Sequence, residues 1–264
     1  MITFNNIGYM GRLGNQMFQL ASTIGIARRL GLDPVFPLEN FGSQSPYSHE
    51  GCDLLQCFNI PEAFIKPISD IQINYIYSES GFNYNREISD IPDYTALSGY
   101  FQTEKYFEHI ESEIREIFTF RDSIENITES MDINTNNSVS IHIRRGDYLS
   151  SPDHHPTQDA EYYKKSISEF GSDKIFYIFS DDIEWCRQIF TGSNFRFIDS
   201  GNPYVDLCIM SKLKNHIIAN SSFSWWGAWL SGKDSKVVAP IRWFGPALAN
   251  KDTSDIYCKN WIKI

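Results

Sequence analysis

The second half of this chain constrains its fold more than any other feature. Beginning at Ser138, "SVSIHI" reads as a strand, "AEYYKKSISEF" as a helix and "KIFYIF" as a continuously apolar strand. "DIEWCRQIF" then reads as a helix, "FRFID" as a strand and "YVDLCIMSKLK" as a helix. "HIIAN", "FSWWGAWL" and "KVVAPI" continue as strand, helix and strand. Strands that alternate with helices fold into a parallel sheet with right-handed crossovers and both faces covered. Functional side chains of such sheets sit beyond the carboxyl ends of the strands. The residues that follow each strand are therefore the candidates.

The first half is less regular. Ile2 and Phe4 begin a short strand, "GYMGRLGN" is a glycine-bearing turn, and "QMFQLASTIGIARRLG" is a helix that Gly31 is placed to end. "DPVFPL" returns as a strand. From about Asn40 to Thr95 prolines, asparagines and tyrosines dominate, which predicts short elements and surface loops. Residues 103–118, "TEKYFEHIESEIREIF", carry a helical stripe through Phe107, Ile110, Ile114 and Ile117, with Thr103 as N-cap. The polar run "TESMDINTNNS" is the expected linker. It sets a boundary near Asn136, with domains over residues 1–135 and 136–264.

Composition narrows the function classes. A chain of 264 residues with 42% apolar and 15% aromatic residues can bury a substantial core. Its formal charge of −10 argues against a nucleic-acid partner, which requires a basic footprint. No apolar run is long enough for a transmembrane segment, although peripheral membrane contact stays open. The opening residues show no charged leader followed by an apolar core. Five cysteines, an odd number without a C-x-x-C pair, point to free thiols in a reducing compartment. A cytoplasmic protein is expected. Cys52 and Cys57 lack the further ligands that a metal site needs, and His154-His155 reads as a solvated pair.

Four strand ends are unusually polar. They are "GYMGRLGNQ" after the first strand, "HIRRGD" from His142, "SDD" from Ser180, and "NSSFS" from Asn220. Alternation sends Val139, Ile141 and Ile143 to one face of their strand. His142 and Arg144 go to the other, roughly 7 Å apart. Arginine offers a fixed planar fork that matches phosphate oxygens. The helix starts after "GRLGN" and "NSS" present unpaired amides that favour anions, and Ser221, Ser222 and Ser224 add hydroxyls. An ionised Asp181 is purely an acceptor, suited to a ligand edge with adjacent N–H donors such as that of guanine.

Plainer readings stand beside these. The glycine turn is also an ordinary tight turn. Asp181, Asp182 and Ser221 are each placed to cap a helix, and Arg145 is placed to pair with Asp147. Trp225, Trp226 and Trp229 suit core packing better than a stacking platform. "RGD" is also an adhesive tripeptide, but adhesion needs an exposed loop in an extracellular protein.

Taken in order and spacing, "GRLGNQMFQLA", "GYFQTEKYF", "SIHIRRGDYL", "YIFSDDIEWC" and "IIANSSFSWWGAWL" resemble the motifs of bacterial α-1,2-fucosyltransferases. "HIRRGDY" followed about eighty residues later by "SSFSWWGAWL" is the specific pair. One position departs, Arg12 standing where the family often has a second glycine. The resemblance implies an α/β fold of GT-B type, two Rossmann-like domains with the active site in the cleft between them. It implies GDP-fucose as donor substrate, no cofactor and no metal, and inverting transfer to a sugar hydroxyl of an oligosaccharide or glycan acceptor. By the same resemblance Arg144 holds the β-phosphate, Asp181 the guanine, and Ser221 or Ser222, with Phe223 beside them, the diphosphate. His142 packs near the base or ribose, and Gly11, Gly14 and Asn15 form the first-strand loop of the donor site.

The reaction expected from this set develops negative charge on the departing GDP. Arg144, helix N-termini and serine hydroxyls are placed to stabilise it. Asp147 is the candidate base, or else a partner that positions Arg144 or Arg145. The tyrosine-rich first half, with Gln102, is the expected site for the receiving sugar. Competing readings are a transferase of another nucleotide sugar and a non-catalytic nucleotide- or glycan-binding module.

Overall fold

The computed structural model describes residues 1–41 and 51–264. Of the irregular region expected between Asn40 and Thr95, the part at 42–50 lies outside the described residues. The chain forms two compact units. One comprises Met1–Arg121 with Lys251–Cys258, the other Asp122–Asn250 with Lys259–Ile264.

The first unit contains β1 (Ile2–Thr3), α1 (Leu13–Leu30), β2 (Pro34–Pro37) and two single-turn helices, α2 (Leu38–Phe41) and α3 (Leu54–Cys57). These are followed by β3 (Ile65–Lys66), β4 (Tyr75–Ser78), β5 (Thr95–Ser98) and α4 (Glu111–Ile117). Its sheet runs β3-β2-β1-β5-β4, and every pair is parallel. Ile2 lies opposite both Pro34 and Thr95, which makes β1 the central strand. The long helix α1 is buried through most of its length because both its flanks meet this unit. Gly31 ends it in the left-handed region at φ 67°, as its position in the sequence predicts.

The single helix predicted over residues 103–118 is broken. Two 3₁₀ turns, Glu104–Tyr106 and Glu108–Ile110, precede α4. Thr103 does cap, but it caps the first turn, accepting from the Lys105 N–H at 3.3 Å. The cause lies on α1. A Cβ added to Gly25 would sit 2.2 Å from the Tyr106 carbonyl oxygen and 2.8 Å from Phe107 Cα. The 106–107 backbone packs directly onto the glycine, and Phe107 leaves helical geometry at φ −133°, ψ 1°.

The second unit contains α5 (Asp122–Ser130), β6 (Ser138–Ile143), α6 (Ala160–Ser168), β7 (Ile175–Ser180), α7 (Ile183–Ile189) and β8 (Phe195–Ile198). It continues with α8 (Pro203–Lys212), β9 (Asn215–Ile217), α9 (Ser222–Leu230), β10 (Lys236–Ala239) and β11 (Ile262–Lys263). The sheet order is β11-β10-β9-β6-β7-β8, again all parallel. Val139, Ile141 and Ile143 pack with Tyr162, Tyr163, Phe176 and Ile178 into one core, as alternation requires. Trp225 and Trp226 are fully buried and meet edge to face, so the tryptophans are core.

The division falls earlier than the linker near Asn136 suggests. Helix α5 packs on α8, burying Ile124 and Thr128 and pairing Glu125 with Lys212. The polar run after it is a loop within the second unit. Near the C-terminus the chain returns to the first unit, where Asp255 accepts from the Tyr84 N–H at 3.0 Å and pairs with Lys105.

Each sheet order fixes where a ligand can be held. In the second unit β6, β7 and β8 proceed outward in one direction, and β9, β10 and β11 in the other. The order therefore reverses between β6 and β9. In the first unit the reversal lies between β1 and β5. Ligands of open parallel sheets bind at such switch points, beyond the carboxyl ends of the strands.

Candidate donor site at the strand ends

At the β6/β9 switch the chain leaves β6 through His142, Ile143, Arg144 and Arg145. Arg144 is clamped by two carboxylates, its Nη2 lying 2.7 Å from Asp147 Oδ1 and its Nη1 3.0 Å from Asp181 Oδ2. Asp181 uses its other oxygen to accept from the Arg145 N–H at 2.8 Å. One carboxylate at the end of β7 thus fixes both the side chain and the backbone that follow β6. Gly146 leaves it room, since a Cβ there would come within 2.6 Å of Asp181 Oδ2.

Arg145 turns away from Asp147, the partner that sequence position offered it. Its Nε pairs with Asp182 at 2.9 Å and its guanidinium lies 4.1 Å from the Trp185 ring centre. Asp182 also caps α7 by accepting from the Trp185 N–H at 3.2 Å. The hydrogen bond from Arg145 holds Asp182 below the usual carboxylate range. The "RGD" tripeptide is therefore tied down at both ends, to Asp182 and to Arg144, which is not the presentation of an adhesive loop.

The β9 side of the switch joins this cluster through aromatic residues. The Arg144 guanidinium lies 5.5 Å from the Tyr148 ring centre, and the Tyr148 hydroxyl donates to the Asn220 carbonyl at 3.0 Å. His142 packs against Phe223, on the first turn of α9, with ring centres 5.6 Å apart. Burial first, and Arg144 second, push the His142 pKa down to about 3, so the ring is neutral. Its Nδ1 is buried without a partner.

Ser221 occupies the N-cap position of α9 in extended conformation, but its hydroxyl makes no capping bond. Ser222 and Phe223 open the helix, where amides lack intrahelical acceptors. Ser224 corrects the expectation of a third ligand-facing hydroxyl. It is fully buried, and its Oγ turns back onto the carbonyls of Ser221 at 3.2 Å and Ala219 at 3.4 Å.

Asn220 opens the polar stretch "NSSFS", but the sequence assigned it no role. Its Nδ2 donates to the Pro156 and Trp243 carbonyls at 3.0 and 2.9 Å, and its Oδ1 accepts from Gln158 at 3.0 Å. A buried asparagine with both amide hydrogens and its oxygen engaged ties down the loop that leads into α9.

The first unit's switch point holds the other predicted residues. Gly11 has φ 90°, and a Cβ there would strike the Asn15 side chain at 2.2 Å. Gly14 is buried in the first turn of α1. Asn15, after β1, accepts from Gln102, after β5, at 2.7 Å, so Gln102 spans the switch point. Two further glutamines, both within "GRLGNQMFQLA" but not singled out there, brace the same loops. Gln16 Nε2 donates to the Gly11 and Gly51 carbonyls at 3.1 and 2.9 Å. Gln19 Nε2 donates to Met10 O at 2.9 Å and Gly99 O at 3.5 Å.

Among the described residues no group of three or more His, Cys, Asp or Glu side chains is arranged to hold a metal ion, and no helix is long and apolar enough to cross a membrane. What the second unit offers is an arginine fork, a helix start with free amides and hydroxyls, and a neutral histidine, all at one end of a parallel sheet.

This architecture is similar to that of solved fucosyltransferases. The fold matches fucosyltransferase NodZ from Bradyrhizobium with TM-score 0.56 at 14% identity, over 87% of this chain and 92% of that one. It matches POFUT1 in complex with GDP with TM-score 0.56 at 13% identity, over 90% and 97%. The α/β fold of GT-B type holds. The chain belongs to glycosyl transferase family 11, whose model matches residues 1–264. An α-1,2-colitosyltransferase of Escherichia coli is 34% identical across 96% of each chain. A galactoside 2-α-L-fucosyltransferase, Sec1 of Mus musculus, is 25% identical over 87% of this chain and 65% of its own length.

Proposed function

We propose that the protein transfers L-fucose from GDP-fucose to a glycan, at the 2-hydroxyl of a galactosyl residue, with inversion and without a metal ion. The observation that carries this reading is Arg144, held between Asp147 and Asp181 at the β6/β9 switch point, with the start of α9 beside it. A guanidinium pre-oriented by a carboxylate, next to free helix amides, is suited to a diphosphate.

The chemistry follows from charge. When the fucose–phosphate bond breaks, its electron pair leaves on GDP, and the anomeric carbon becomes positive. Arg144, the Ser222 and Phe223 amides, and the Ser221 and Ser222 hydroxyls stabilise the leaving group. The ligand-free cluster sets two guanidiniums, Arg144 and Arg145, against three carboxylates, so a phosphate must displace one of them. Asp147 is the more exposed partner of Arg144, 42% against 25% for Asp181, and is the one displaced. Asp147 thus serves as a placeholder on the Arg144 guanidinium until the diphosphate takes its position. Asp181 stays in place, with lone pairs left to accept from guanine. Free cysteines, none of them in a disulfide, suit a cytoplasmic setting.

A second reading concerns the sugar. The similarity to a colitosyltransferase favours a donor that carries colitose, which is fucose lacking its 3-hydroxyl, as in GDP-colitose. The deciding experiment supplies GDP-fucose and GDP-colitose, each with a panel of β-galactosides, and locates the new linkage and its anomeric configuration by NMR, with and without EDTA. Transfer of fucose to O2 in EDTA supports the first reading, and a preference for colitose supports the second. Transfer from UDP-sugars, or binding of GDP without turnover, contradicts both.

A further inference from the structure

Displacing Asp147 from Arg144 leaves a carboxylate without its cation, and an imidazole of the same unit stands nearby. The sequence suggests a solvated pair at His154-His155; the structure exposes His154 but not His155. The His155 ring is half-buried and stacks on the Tyr148 ring, centres 5.0 Å apart and planes at 24°. Phe244 meets it from the 243–248 segment at 5.9 Å and 59°. The loop that carries the ring is fixed. The His155 N–H donates to the Ser151 carbonyl at 2.8 Å. The Gly245 and Ala247 N–H groups donate to the His154 and Asp153 carbonyls, both at 2.9 Å. A Cβ on Gly245 would come within 2.4 Å of the Asp153 carbonyl oxygen and 2.5 Å of that of Pro152, so the loop rests directly on the 243–248 segment.

A ring held this firmly keeps both nitrogens uncommitted. Neither Nδ1 nor Nε2 of His155 has a hydrogen-bond partner among the described residues, and neither is sealed from solvent. Asp147 and Tyr148 open one 3₁₀ turn, Asp147–Ser150, and the Tyr148 ring also lies 5.5 Å from the Arg144 guanidinium. The stack therefore brings His155 to the Arg144–Asp147 pair. Burial lowers the His155 pKa below the ordinary 6.5, Asp147 draws it back up, and His154 and Arg144 push it down. The 243–248 segment carries no titratable side chain. Near pH 7 the ligand-free protein thus holds a neutral imidazole beside a carboxylate engaged elsewhere.

We propose that His155 receives Asp147 when a diphosphate takes its place on Arg144, and binds a proton to do so. The proposal rests on the donor-site reading above. The proton comes from solvent and joins the lone pair of the unprotonated ring nitrogen, and the imidazolium pairs with the released carboxylate. The phosphate charge arriving at Arg144 acts in the same direction, since it offsets the cation that disfavours a second one. Stacking on Tyr148 also favours the charged ring. His155 is in this account a positioning residue. It holds Asp147 away from the leaving diphosphate, where a further negative charge would oppose transfer.

Calorimetric titration of GDP at pH 6.5, in two buffers of different ionisation enthalpy, counts the protons bound with the nucleotide. Wild type is compared with His155→Phe, which keeps an aromatic ring in the stack, and with Asp147→Asn, which keeps the imidazole and removes its carboxylate. The ionisation of GDP itself is common to all three and cancels in the differences. Wild type is expected to take up about half a proton or more beyond either variant. Its GDP affinity should rise relative to both as pH falls from about 8 to 6, by at most about tenfold per pH unit. Uptake by His155→Phe equal to that of wild type, or uptake retained by Asp147→Asn, overturns the proposal and leaves the donor site standing. GDP binding that is absent, or undiminished in Arg144→Ala, removes the donor-site reading and this inference with it.

Discussion

Asp181 holds Arg144 by its side chain, Oδ2 to Nη1 at 3.0 Å, and also bonds the backbone N–H of the next residue with its other oxygen. Asp147 touches the same guanidinium but has no such second attachment among its bonds. The two aspartates therefore respond oppositely to neutralisation. Asp181→Asn loosens the fork and is expected to weaken GDP binding by ~10-fold, about 1.4 kcal/mol. Asp147→Asn removes the group that a phosphate must displace, so GDP affinity should hold or rise. Calorimetric titration of both variants at one ionic strength checks the pair of signs.

Gly25 lets the 106–107 backbone rest on α1. Gly25→Ala places a methyl 2.2 Å from a carbonyl oxygen and 2.8 Å from a Cα, neither of which can rotate away. A loss of ~1–3 kcal/mol or more is expected from overpacking of this kind. Urea unfolding should show a lower midpoint at unchanged m-value.

His216 is fully buried between Ser140, 2.7 Å from Nδ1, and Ser231, 2.8 Å from Nε2. Burial lowers its pKa from 6.5 to about 3. Above 6.5 the ring is neutral in both folded and unfolded chains and has no pH effect. Below 6.5 the unfolded chain takes up a proton that the folded one refuses, so stability falls with pH by ~1.4 kcal/mol per unit, down to the folded pKa. His216→Gln lacks this titration. The difference in unfolding free energy between variant and wild type should shift in the variant's favour by that slope between pH 6.5 and 4.

Glu79, which follows β4 and accepts from the Tyr100 and Phe101 N–H groups, has the opposite sign. Its folded pKa of about 7 lies above the ordinary 4.5, so its protonated form stabilises the fold in acid and that contribution is lost as pH rises through 7. Glu79→Gln should match wild type in stability below pH 4.5 and exceed it by on the order of 2–3 kcal/mol at pH 8. Unfolding curves at the two pH values give the comparison.

The second unit's elements were legible in the sequence because its strands are buried on both faces and read as unbroken apolar runs. Arg144, Asp181 and the serines after β9 could be placed because strand ends in a parallel sheet share one edge. What the sequence hid depends on contacts between distant residues. Residues 103–118 keep a helical apolar stripe, and the break where residues 106–107 pack on Gly25 of α1 leaves no trace in that local pattern. Arg145 finds Asp182, 37 positions away in sequence, in preference to Asp147 two positions on. Ser224 looks like its neighbours in "NSSFS" but points inward once α9 forms. Glu79 belongs to no motif, and its character comes from two amides of a turn that follows a different strand.

The central claim is that the β6/β9 switch point of this family 11 chain grips a guanosine diphosphate through Arg144. The most direct measurement is calorimetric titration of GDP, UDP and ADP into wild type and Arg144→Ala. GDP should bind at least ~10-fold more tightly than either competitor, and Arg144→Ala should weaken it by ~10–100-fold, about 1.4–2.7 kcal/mol. Equal affinity for UDP, or undiminished GDP binding by Arg144→Ala, would contradict the account.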